Sequence, residues 1–390
     1  MIAELRRDFL AQWTPGSYAE LGRRLNVRSR TTVPFRIAET PCFLLAELLR
    51  KLIESGRELI EQLQTPAYRE FSTKAIPPEF RVPNEDPKPL FIQADFGLVQ
   101  QADGRVEPRL VEIQGFPSLY AFQSLLTETY CEVYGLEHAG FPNYDAVLGS
   151  ALLGRQAPEN VILLEIDPEN QKTLCDFHVT EDRFGVRPVC IARVRQRGKK
   201  LFYDRDGIEV PIHRIYNRAI TDEQVRRGVQ PGFAWTDDLD VEWAGHPNYY
   251  FRISKFSLPF LNHPCVPATH FLDRLPEWPM DLDDWVLKPL YSFAGLGVSV
   301  GPRREELEAI PVGERAHWIL QRRCRFTPLI QTPAGPTQAE IRVMFIWLDE
   351  LHAVATLIRL GRGKMMGVDH NKNMEWVGAS AGLWSANTLE

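Results

Sequence analysis

The stretch that most constrains this chain is Trp285–Val300, WVLKPLYSFAGLGVSV. Trp285, Val286 and Leu287 have strand character and lead into Lys288-Pro289; Gly295-Leu296-Gly297 then turns, and Val298-Ser299-Val300 resumes an extended pattern. A lysine at a strand end followed by a glycine turn suits polyphosphate. The ammonium neutralises charge, and glycines let backbone N–H groups approach oxygens with no Cβ in the way. A hairpin whose lysine only meets water satisfies the same pattern. The stretch is not a P-loop, because no G-x-x-x-x-G-K-[ST] occurs, and it is not a strand–GxGxxG–helix fingerprint.

At 390 residues the chain has room for two or three domains, and 44% apolar residues supply them with cores. A net charge of -6 argues against nonspecific nucleic-acid binding, which needs a basic surface. No apolar run reaches the ~18 residues of a membrane span, and the opening MIAELRRDFLAQW has no apolar core of a secretory signal. The six cysteines are scattered without a CxxC pair, and the nine histidines form no HExxH, so neither a disulfide framework nor a zinc motif is indicated. The expectation is a soluble, cytoplasmic protein without nucleic-acid or membrane partners, compatible with a homodimer.

Residues 1–89 read as a helical layer closed by a proline-rich loop, with apolar residues at three- and four-residue intervals through PCFLLAELLRKLIESGRELIEQLQ. Residues 90–157 begin with two strands, Leu90–Asp95 and Arg109–Ile113, joined through an Ala102-Asp103-Gly104 turn, and continue into a helix around Leu119–Tyr134. Glu112 and Gln114 lie two apart on the second strand and share a face. Together they suit a hard cation such as Mg²⁺, or simply a polar face open to water. Residues 158–221 alternate strand and helix: Asn160–Ile166, a helical segment around Asp167–Glu181, Val189–Val194, then short strands up to Ile212–Tyr216. That order predicts a small parallel sheet, and the missing glycine-rich turn argues against a nicotinamide site. In residues 222–390, Lys255 stands near a helix start, His317–Gln321 is a strand, and Glu340–Leu348 and Leu351–Arg359 pair across Asp349-Glu350.

In their order and spacing these segments resemble the circularly permuted ATP-grasp enzymes, of the eukaryotic-type glutathione synthetase and glutathionylspermidine synthase kind. The resemblance runs from about Leu90 to the C-terminus. VLKP with its glycine loop resembles the family's phosphate-covering loop, Lys255 the earlier nucleotide-binding lysine, and WILQ the hinge strand beside adenine. VEIQGFPS resembles the E-x-N metal strand with its serine-containing loop, and IYNR the strand ending in a substrate arginine. IRLGRGK and VGASAG resemble the final basic strand and small-residue loop.

The resemblance implies an α+β, ATP-grasp fold with an inserted α/β unit, using ATP and Mg²⁺ to join a small-molecule carboxylate to an amine through an acyl phosphate. Lys255, Lys288, Ser292, Gly295, Gly297, Gln321 and Lys364 would meet the nucleotide. Glu112, Gln114 and Glu340 would meet the metal, with Asn371 or Asn373 as a further ligand. Arg218, Arg359 and Arg362 would act on the substrates beside Asp95, Ser118, Ala379 and Ser380. Glu340 and Arg342 also read as a same-face ion pair. The chain departs from the family at three places: Ser292 stands where a metal-binding glutamate is usual, Gln114 replaces asparagine, and no arginine precedes Asp95. Those changes leave a second expectation open, a nucleotide-binding module without ligase activity.

Overall fold

Alternating apolar residues on Phe91–Gln100 and Gln338–Trp347 fix the central layer. Ile92, Ala94, Phe96, Ile341, Val343 and Phe345 pack on one side, while Phe91, Met344 and Ile346 pack on the other. A strand buried on both faces must lie inside a sheet, and these two are neighbours within six strands. From one edge the order is Cys42–Phe43, Gly378–Leu383, Leu351–Gly361, Gln338–Trp347, Phe91–Gln100 and Val106–Gln114. All pairs are antiparallel except the first. The computed structural model describes residues 2–292, 295–371 and 373–384.

Helix Ala46–Gln62 covers one face through Leu48, Leu49, Leu52, Leu59 and Ile60. Helix Tyr120–Tyr134 lies on the other face through Tyr120, Phe122, Leu125 and Leu126, backed by helix Pro15–Arg28. The N-terminal region is therefore not wholly helical, since Cys42–Phe43 extends the central sheet.

A second sheet, of parallel strands in the order Glu242–Ala244, Arg214–Asn217, Val161–Glu165 and Arg187–Cys190, holds the α/β unit. It takes a strand from beyond residue 221. Two local expectations shift here. The helix starts at Leu174 instead of near Asp167, because Asp167 has a left-handed φ of 50° and Pro168 follows it. The strand expected to reach Val194 stops at Cys190, where Ile191–Arg193 makes a 3₁₀ turn. Arg195–Arg197, Lys200–Arg205 and Ile208–Ile212 form an antiparallel meander.

The fourth sheet orders Thr269–Phe271, Trp318–Arg322, Trp285–Pro289 and Ser299–Val300, all antiparallel. The hairpin read from Trp285–Val300 is thus present, with Val286 opposite Val300 and Leu287 opposite Ser299. Gly295 and Gly297 both take positive φ, 76° and 73°, which a residue with a Cβ adopts only under strain. No described helix is long and apolar enough to cross a membrane.

Candidate functional site

The register of the central sheet brings together charges far apart in sequence. Asp95 lies opposite both Glu112 and Arg342, and Glu340 lies opposite Arg359. Two carboxylates facing each other on adjacent strands repel, and Arg342 relieves the repulsion. It grips Asp95 with two bonds, Nε to Oδ1 at 2.5 Å and Nη2 to Oδ2 at 2.6 Å, and stands 3.6 Å from Glu112. Arg359 Nη1 donates to the second Asp95 oxygen at 3.1 Å and also pairs with Glu340. Glu340 and Arg342 therefore share a face but not a bond: each turns to the strand beside it.

Burial alone would raise the Asp95 carboxyl. Arg342 and Arg359 outweigh it and hold the group well below the usual carboxylate range. Burial pushes the Glu340 carboxyl up, Arg359 opposes that, and Asp95 and Glu112 add to it. Gln93 completes the layer. Its carbonyl accepts from Arg342 Nη1 at 2.9 Å and lies 2.7 Å from the Gln114 amide, and its own amide donates to the Ser118 carbonyl at 2.9 Å.

Two lysines enter from the segments beyond. Ser254 caps the 3₁₀ turn Lys255–Phe260 by accepting the Phe256 N–H, which fixes where Lys255 leaves the backbone. Lys255 Nζ donates to the Ser292 carbonyl at 2.7 Å, touches Ser292 Oγ at 3.4 Å and lies 3.8 Å from Glu112. Lys288 Nζ donates to the Val111 carbonyl at 2.9 Å and to Gln321 Oε1 at 2.5 Å, tying the fourth sheet to the strand that carries Glu112. Burial lowers the Lys288 ammonium to about 8, against the pull of Glu112 and with the push of Lys255. The Gln321 amide nitrogen is buried without a partner among the described residues.

A narrow cleft opens in front of this cluster, lined among others by Glu112, Gln114, Phe116, Tyr250, Lys255 and Ser292. Four cations (Arg342, Arg359, Lys255, Lys288) meet three carboxylates (Asp95, Glu112, Glu340), so the assembly carries one positive charge in excess when all are ionised. Such an excess favours an anion over a cation. Among the described residues no three His, Cys, Asp or Glu side chains stand together to hold a metal ion. Mg²⁺ arriving with phosphates needs only one or two protein carboxylates. Glu112 fits that lesser requirement: it lines the cleft with its side chain 25% exposed, whereas Asp95 and Glu340 are buried against arginines.

The remaining sequence candidates lie elsewhere. Arg218 is 3% exposed, sandwiched between Phe116 and Phe177 (5.6 and 5.4 Å to the ring centroids) and 3.3 Å from Asp176. Asp176 in turn accepts the Phe122 N–H at 2.9 Å and so caps helix Tyr120–Tyr134 from another element. Ser380 donates its hydroxyl to the Thr40 carbonyl, and Ala379 is packed beside Arg359 across the strand pair. Arg362 braces Thr337 and the Glu375 carbonyl, and Lys364 is exposed. Asn373 is exposed, whereas Asn371 is spent on its own loop: its oxygen accepts from the N–H of Arg362 and Gly363, and its amide donates to the carbonyls of Met365 and Gly367. Gly295 approaches that loop so closely that a Cβ would stand 2.8 Å from Met365 Cε.

The sequence alone gave no reason to select Tyr250, Tyr291 or Phe116 for the cleft, or Asp176 as a helix cap. Nothing in the local patterns of Tyr250 and Tyr291 announces a contact with a strand more than a hundred residues away, nor in that of Asp176 a helix 54 residues away.

Sequence comparison finds no matching family model and no matching curated protein. Comparison of folds does: the mixed α+β architecture of several sheets is similar to that of a glutathione synthetase-like protein. The solved structure in question is a glutathione synthetase-like effector from Globodera pallida in its apo form. It covers 95% of this chain and 97% of its own at a TM-score of 0.58 and 12% identity. At that identity the similarity carries the fold and nothing finer.

Proposed function

We propose that the chain is a ligase of the circularly permuted ATP-grasp type, using ATP and Mg²⁺ to join a small-molecule carboxylate to an amine. The observation that carries the reading is convergence. Lys255, Lys288, Glu112, Arg342 and Arg359 come from separate segments and meet in one charged cluster, of which Glu112 and Lys255 line the cleft. In this reading Lys255 and Lys288 neutralise phosphate charge, as fixed cations do in phosphoryl transfer. Arg359, its side chain 20% exposed, meets the substrate carboxylate, and Arg342 and Asp95 hold it in place. Mg²⁺ supplies further neutralisation on the phosphates, and Glu112 would hold it.

A second reading has its own support. Lys255 is bonded to Ser292 where the family resemblance leads one to expect a glutamate, and two of the three carboxylates are claimed by arginines. Both features favour a nucleotide-binding module that does not ligate. A thermal-shift titration with ATP, ADP and GTP, with and without Mg²⁺, followed by a phosphate-release screen of acids and amines, separates the two. A ligand at a hundredfold excess over its Kd adds about 2.7 kcal/mol of stability. A Mg²⁺-dependent shift with phosphate release supports the ligase, a shift without release supports the module, and no shift with any nucleotide sinks both.

A further inference from the structure

Away from the cleft, three side chains form a constellation that the sequence gives no hint of. His263 Nδ1 lies 2.9 Å from Cys265 Sγ, and His263 Nε2 lies 2.8 Å from Glu58 Oε2. Glu58 comes from helix Ala46–Gln62, some two hundred residues from the loop that carries the other two. The backbone sets the tautomer. The Cys265 N–H points at His263 Nδ1 at 3.2 Å, which makes Nδ1 an acceptor and leaves the Nε2 hydrogen for Glu58. An accepting nitrogen next to a thiol, oriented from behind by a carboxylate, is the arrangement that activates a nucleophile through an adjacent base.

The loop is held in place. The Cys265 carbonyl accepts the Leu110 N–H at 2.8 Å, which docks it on the edge of the central sheet, and Arg109 donates to the Pro264 carbonyl at 3.1 Å. Burial pushes the Cys265 thiol up to about 12, with the Arg109 guanidinium opposing that and Glu58 adding to it, so the sulfur depends on the adjacent base to lose its proton. Cys42 and Cys175 are equally buried free thiols, and no histidine bond to either is found among the described residues.

We propose that Cys265, with His263 as base and Glu58 as its orienting partner, is a reactive thiol site for small neutral hydroperoxides. Small size follows from burial: Cys265 is 3% exposed, so a peptide or a disulfide of any bulk cannot reach the sulfur, while hydrogen peroxide is little larger than water. Neutrality follows from the flanking Glu58 carboxylate, its side chain 59% exposed, which repels anions. In the reaction the sulfur attacks one peroxide oxygen, an S–O bond forms and the O–O bond breaks. The thiol proton passes through His263 Nδ1 to the departing hydroxide. The products are a sulfenic acid on Cys265 and one water, the sulfur having given two electrons to the peroxide.

The test is to treat the native protein with dilute hydrogen peroxide, remove the peroxide with catalase, unfold the chain in denaturant containing dimedone, which traps sulfenic acid, and map the adducts by peptide mass spectrometry. Cys265 is expected to carry at least about tenfold more adduct than Cys42 or Cys175, a modest demand on a base whose usual contribution is 10²–10⁴-fold. His263→Gln is expected to remove that excess. Glu58→Gln, at a largely exposed helix position, is expected to reduce it and guards against a folding defect in the first variant. Labelling of all six cysteines with iodoacetamide after unfolding normalises the yields. Equal adduct on Cys265 and the two control thiols, or an excess on Cys265 that survives both substitutions, would overturn the proposal.

Discussion

Lys288 is the residue whose burial has the most measurable consequence. Its ammonium is 6% exposed and lowered to about 8, whereas a lysine in an unfolded chain titrates near ~10.4. Between those values the unfolded chain binds a proton that the folded chain does not, so stability rises with pH across that window. Below pH 8 the penalty is present in full; above about pH 10.4 it is gone. That gap corresponds to about 3 kcal/mol, most of which is relieved between pH 7 and pH 10. The assay is urea unfolding of the protein and of Lys288→Met at both pH values. Methionine keeps the apolar stem and cannot titrate, so whatever it loses with Val111 and Gln321 is the same at each pH. The stability of the protein relative to Lys288→Met should therefore rise by about 2–3 kcal/mol on going from pH 7 to pH 10. A difference constant to within about 0.5 kcal/mol would refute the assignment of Lys288 as a desolvated cation. In the proposed ligase, anion binding should weaken over the same range as the ammonium loses its proton.

Arg218→Met strands the buried Asp176 carboxylate and should cost about 3–5 kcal/mol in unfolding experiments. Adding Asp176→Asn should recover most of that, since an amide oxygen still accepts the Phe122 N–H, and a double variant no better than the single would refute the pairing. Asn371→Ala releases four backbone partners in the 362–367 loop and should cost about 2 kcal/mol while speeding amide exchange at Gly363; an unchanged exchange rate would count against the clamp. Glu112→Gln, if the proposed metal role is right, should weaken ATP binding in Mg²⁺ far more than in chelator, as read by calorimetry. Equal losses would remove Glu112 from that role.

What the sequence disclosed, it disclosed through period and punctuation. The Trp285–Val300 hairpin, the pair Glu340–Leu348 and Leu351–Arg359, and the helix after Ser118 are all marked by local alternation or by turn residues, and each is present. The elements misplaced by a few residues are those governed by single backbone conformations, such as the left-handed Asp167 before Pro168. The candidate site divides along the same line. That Glu112 and Gln114 share a strand face is a two-residue rule, readable at once. That Arg342 would choose Asp95 over its own neighbour Glu340 depends on which strand lies alongside, and strand order is set by contacts spanning some 250 residues. Arg218 misled for the opposite reason. A strand-end arginine looks free in sequence, and only the packed structure supplies Phe116, Phe177 and Asp176 around it.

The charged layer also explains why the sheet is a suitable place for chemistry. A guanidinium on a long flexible stem is a poor positioning device unless its donors are engaged, and Asp95 engages two arginines at once. With Arg342 locked in a two-point grip, Asp95 can present its second oxygen to Arg359 at a fixed angle, and Glu340 steadies the same nitrogen from the other side. The cost of burying these charges is met within the sheet, strand against strand, and does not depend on a ligand. The lysines follow different logic. Lys288 stays buried at a net penalty, and among the described residues Lys255 is held by Ser292 and a distant Glu112. An anion entering the cleft would relieve the first and give the second a stronger partner. On this argument the free energy stored in Lys288 at neutral pH is available to ligand binding, so in the proposed ligase the lysines should set the affinity for phosphate, leaving Arg359 to position the substrate carboxylate.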